Sequence, residues 1–105
     1  MGNPWASEVS LRLDGVQYRA KLTLGALAEL EAELGTDSLV ALAERFEGGT
    51  CSGRDVLALL AAGLRGGGWQ GETRDLLQVD IEGGPLRAAQ SAGRLLALAF
   101  APPED

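Results

Sequence analysis

Histidine is absent from this chain of 105 residues, and cysteine occurs once, as Cys51. Without histidine there is no Ser-His or Cys-His nucleophile pair and no ordinary zinc set. A single cysteine makes no internal disulfide, which fits a reducing compartment. Basic residues are few: 9 Lys and Arg against 15 Asp and Glu leave a net charge of −6. Nucleic-acid phosphates require clustered cations, so this balance argues against a nucleic-acid partner. There is no basic amphipathic face for anionic lipid and no apolar run of membrane-spanning length. The opening "MGNPWASEVS" has neither the basic region nor the apolar stretch of a signal peptide. The expectation is a cytoplasmic protein. Aromatic residues make up only 5% of the chain, and its 46% apolar content rests mainly on Leu and Ala. Both are strong helix formers.

What is present is clearest near the start. "VSLRLDGVQYRAKL" alternates apolar and polar residues on either side of Asp14-Gly15, the signature of a hairpin with a two-residue type I′ turn. That turn sets Leu13 opposite Val16, Leu11 opposite Tyr18 and Val9 opposite Ala20 on one apolar side. Arg12–Gln17, Ser10–Arg19 and Glu8–Lys21 fall on the other. A lone hairpin is barely stable, so its apolar side must lie on something else. Thr23 is placed to cap "LGALAELEAEL", with Leu27, Leu30 and Leu34 as a stripe joined by Leu24, and Gly35 as its stop. Asp37 or Ser38 caps "LVALAERFE", whose apolar face is Leu39, Leu42, Ala43 and Phe46. Ser52 and Asp55 approximate a capping box before "VLALLAAGL", apolar nearly all round and hence central. "LRAAQSAGRLLALAF" is a longer last helix, with Leu86, Ala89, Leu96 and Phe100 inward and Arg87, Gln90 and Arg94 outward.

The architecture expected is α+β, mostly α: an N-terminal hairpin packed on four to five short helices in a single domain, 1–105. The hairpin spans about 7–22, the helices about 23–34, 38–47, 53–65, 72–79 and 85–100, and 101–105 form a loose tail.

Chemistry is harder to find. Gly66-Gly67-Gly68 invites a phosphate loop, but a Walker loop lies between strand and helix and continues with Lys and Ser or Thr. Here the glycines follow a helix, so they read as its C-terminal cap and a flexible turn. Arg65, in the last turn, suits the helix dipole. Cys51 stands just before an N-cap, where a thiol gains reactivity, yet nothing accompanies it and a plain loop cysteine is the simpler reading. Glu29 and Glu33, four apart, belong with Glu31, Glu44 and Glu47 to a solvated acidic face. No catalytic, cofactor-binding or metal-binding residue is assigned, no cofactor is expected, and the protein is read as non-enzymatic. Trp5 and Trp69 lie outside the helical stripes, as helix-end covers or as interface anchors.

"LRLDGVQYRAKLTLGALAELEAELG", then "LVALAERFEGG", "SGRDVLALLAAGLRGGG" and "EGGPLRAA", resemble the gene transfer agent family of small phage-tail proteins. The likeness covers residues 8–100 in order, with the hairpin running into "LTLGALAELE" and the later "AGLRGGG" as its most telling pieces. Such proteins are described both as tail tube proteins and as tail assembly chaperones. The resemblance implies a chaperone that binds the tape measure protein and recruits tail tube subunits. The alternatives are a structural tail component, such as a tube subunit, or a small protein-binding adaptor. Trp69, Arg87 and Arg94 are the candidate contacts for a protein partner, and association into a homo-oligomer is left open.

Overall fold

A computed structural model of the chain describes residues 8–35, 39–49 and 52–100. Strands β1 (Val9–Leu13) and β2 (Val16–Ala20) pair antiparallel with Leu13 opposite Val16, Leu11 opposite Tyr18 and Val9 opposite Ala20, the expected register. Asp14 and Gly15 turn the chain at φ 50° and 83°, the two positive values that a type I′ turn needs. Val9, Leu11, Leu13 and Ala20 are buried, but Val16 is 54% exposed. The helices cover the open end of β2, around Ala20, and leave its turn end to solvent. Glu8 reaches diagonally to Arg19, 3.8 Å away, and not to Lys21 as expected. Lys21 has by then left the ladder, its N–H donating to the carbonyl of Gly63 at 2.8 Å.

Helix α1 (Leu24–Leu34) starts where Thr23 Oγ1 accepts from the Ala26 N–H at 3.1 Å and stops at left-handed Gly35. Leu30 is fully buried and Leu27 and Leu34 partly so, but Leu24 is 84% exposed. It occupies the first helical position and projects past the cap, leaving Ala26 to take the inward place. Helix α2 (Leu39–Glu47) buries Leu42 completely and Phe46 in part. Helix α3 (Gly53–Gly66) opens with the capping box: Asp55 N–H donates to Ser52 Oγ at 3.2 Å, and Ser52 N–H to Asp55 Oδ2 at 3.0 Å. Asp55 also meets Arg45 of α2 at 3.5 Å. Every residue from Ala58 to Leu64 is buried, so α3 is the central helix that its all-round apolarity predicts. The expected cap at Asp37 or Ser38, the tail 101–105, Trp5 and Cys51 lie outside the described residues.

The glycine run ends α3 as expected, with Gly67 as its C-cap, and it is also a packed joint. A Cβ on Gly66 would coincide with the carbonyl oxygen of Lys21, and one on Gly67 with that of Arg19. Glycine there lets the end of α3 touch the backbone of β2, and Gly68 supplies a φ of 108° for the exit. The Gly67 N–H donates back to Gly63 and Leu64, and that of Gly68 to Arg65. Amides engaged in this way do not cradle a phosphate. Residues 73–78, expected as a helix over 72–79, form a 3₁₀ helix, Thr73–Gln78, whose Leu76 is buried.

Helix α4 (Gly84–Ala99) runs beside α3 in the same direction: Val56 shares a groove with Ala88, and Gly63 lies against Leu95. Its inward face differs from the expected one. Ala88, Ser91, Ala92, Leu95 and Leu96 are buried, whereas Leu86 is 71% and Phe100 46% exposed and Ala89 is only partly covered. Of the four residues expected inward, only Leu96 is fully so. The approach to α3 is close: a Cβ on Gly63 would lie 2.8 Å from Leu95 Cδ1. Gly63 makes the room that Leu95 fills, Ala88, Ser91, Ala92 and Leu96 take the rest of the inside, and Leu86 and Phe100 are left outside.

Candidate partner interface

Leu86, Ala89, Gly93 and Phe100 follow one another along α4 and its C-terminal cap at spacings of three, four and seven residues, with the buried Leu96 at the inner edge of the row. That places them on one side of the helix, in the spacing with which helices seat against other helices. Two open grooves flank this stripe. One, of about 510 Å³, lies between the starts of α3 and α4 and is walled by Val56, Leu57, Val79, Ile81 and Pro85. The other, of about 270 Å³, lies between α4 and α2 and is walled by Val40, Phe46, Leu96 and Phe100, with Glu47 at its rim. Val40 is itself 59% exposed. At Gly93 an added Cβ would meet nothing within 4 Å, so the floor between the grooves is bare. An apolar stripe of this kind, edged by carboxylates, is the form of a protein-binding surface. Among the described residues no group of acidic side chains and cysteine is gathered closely enough to hold a metal ion.

The sequence-predicted contacts divide. Arg87 and Arg94 are exposed, as expected, and share a shallow trough with Ser10 of β1. Trp69 is not with them. It lies beyond the C-terminal end of α3, its N–H donating to the Leu64 carbonyl at 2.9 Å and its ring lying against Gly71, where an added Cβ would strike it. Trp69 is partly buried against the core, the helix-end cover of the two roles considered for it. The residues missed are Val40, Leu86 and Phe100. Residue size gave no signal for them, since Leu95 and Leu96 of the same helix are buried while Leu86 is not.

A family model described as phage tail tube protein, GTA-gp10, matches residues 6–102. The chain belongs to this family. The match runs through every element from β1 to α4, so the outer stripe and both grooves of this GTA-gp10-family chain lie within the shared domain. No curated protein and no solved structure matches the chain. Among the described residues of this tail-tube-family protein no helix is long and apolar enough to cross a membrane.

Proposed function

We propose that the chain is a non-enzymatic structural component of a phage-type tail, joining neighbouring tail proteins through the outer stripe of α4. The family assignment supports the tail, and the exposed Leu86–Phe100 stripe is the observation that carries the contact. Its partners are other tail proteins, tube subunits among them, met in the cytoplasm where particles are assembled. The role needs no cofactor and no active site.

A second reading, a tail assembly chaperone holding the tape measure protein, is favoured by one feature. The described residues contain a single two-stranded sheet, whereas the exposed stripe has the spacing that accepts an amphipathic helix. One experiment separates the readings. Particles are purified from cells carrying an epitope-tagged chain, and the chain is quantified against the other tail proteins. A structural component is retained in finished particles in fixed proportion. A chaperone is absent from them and co-purifies with soluble tape measure protein. Retention that survives Leu86→Glu together with Phe100→Glu would remove the outer stripe from either account.

A further inference from the structure

We propose that the outer edge of β1 is a docking site for an extended, acidic segment of a partner protein, which adds to the hairpin as a strand. The inference goes beyond the tail role and does not depend on which reading of it holds.

The ladder with β2 engages Val9, Leu11 and Leu13, so the backbone groups of Ser10 and Arg12 point away from it, toward the edge. The chain already uses part of this edge. Asp14 N–H donates to the Asp80 carbonyl at 2.9 Å, and Glu82 N–H to the Arg12 carbonyl at 3.0 Å, bridging Leu13 to Ile81 antiparallel. Asp14 Oδ1 accepts from the Asp80 N–H at 3.0 Å and holds the segment in place. At Gly83 the chain turns off into α4, and the edge is left open along Ser10. The edge of β2, by contrast, is covered at Arg19 and Lys21 by the glycine joint of α3, which leaves only its turn end. Open strand edges invite pairing, and extended peptides exploit them.

Charge names the occupant. Two cavities, of about 350 and 430 Å³, meet at Ser10 and Arg87, forming one trough between β1 and α4. Arg12 pairs with Glu82 at 3.4 Å and Arg19 with Glu8 at 3.8 Å. Among the described residues, Arg87 and Arg94 form no ion pair, although the chain as a whole carries −6. The aliphatic stem of Arg87 is packed over Gly83, where an added Cβ would lie 2.6 Å from Arg87 Cβ. The cation is thereby held beside the edge, one turn from Gln90 and two from Arg94. A strand whose outward side chains are carboxylates would bond Ser10 through its backbone and the two arginines through its side chains.

The test titrates the intact protein with a fluorescein-labelled peptide of roughly eight residues, valine alternating with glutamate, and with the same peptide carrying lysine for glutamate. The acidic peptide is expected to bind and to slow hydrogen exchange at the Ser10 and Arg12 amides. Its affinity should fall at least about tenfold in Arg87→Glu with Arg94→Glu, the scale of losing charge-assisted contacts. Ser10→Pro should abolish binding while keeping the melting transition, since that N–H faces away from the ladder and proline is tolerated at edges. No binding of the acidic peptide, equal binding of the lysine peptide, or binding without protection at Ser10 would each overturn the proposal. So would the finding that these substitutions change only the sedimentation of the protein alone, which would make a second copy the occupant.

Discussion

Two apolar stripes share helix α4, and they are built of different residues for different reasons. The inner one, Ala88, Ser91, Ala92 and Leu95, is buried, and Leu95 seats against Gly63 of α3. The outer one contains Leu86 and Phe100, left in solvent. Hydrophobicity alone ranks the outer stripe as core. Position reverses that ranking: Leu95, seated against Gly63 of α3, is covered, whereas Leu86, a side chain of the same size, is left in solvent. The difference teaches that in a small helical protein the residues with most apolar area are not automatically its interior. When they are left outside in a row, they mark where another molecule belongs.

Three variants would break or sharpen this contrast. The largest loss is expected from Leu95→Ala, which empties a fully buried site and should cost about 2–5 kcal/mol in urea unfolding. Ala92→Leu comes next. It adds volume where the inner stripe has none to spare and should cost about 1–3 kcal/mol by overpacking, read from the same transition. The smallest effect belongs to Leu86→Ser with Phe100→Ser, expected to leave stability within about 0.5 kcal/mol per site while weakening co-purification of tail proteins. A melting loss there comparable to that of Leu95→Ala would show the outer stripe to be core after all, and the contrast would fail.

How far the sequence carried this account depended on how local the information was. The hairpin register follows from Asp14-Gly15 and the alternation around it, and the helix starts at Thr23 and Ser52 follow from side chains within three residues. Those features were legible because chain neighbours determine them. The burial of α3 was legible from its lack of a polar face. The rotation of α4, the exposure of Leu24 and Val16, and the edge segment at Asp80–Glu82 were not, since each depends on which distant element arrives alongside. Of the candidate contacts, the exposure of Arg87 and Arg94 was legible from their helical spacing. The placement of Trp69 was not, because its ring folds onto Gly71, beyond the end of α3. The purpose of Gly66 and Gly67 was hidden for the same reason. Nothing adjacent to them announces the carbonyls of Arg19 and Lys21.

That joint also bears on how the chain folds. The hairpin forms from neighbours in sequence, yet the Lys21 amide reaches its acceptor, Gly63, only when the central helix is in place. A contact across so much chain is costly in loop entropy before anything is gained. Once closed, it ties the first structured segment to the middle of the molecule, so neither can open while the other stays shut. A chain cut before α3 would therefore keep a hairpin without the helix that its Lys21 amide and Ala20 side chain meet at Gly63.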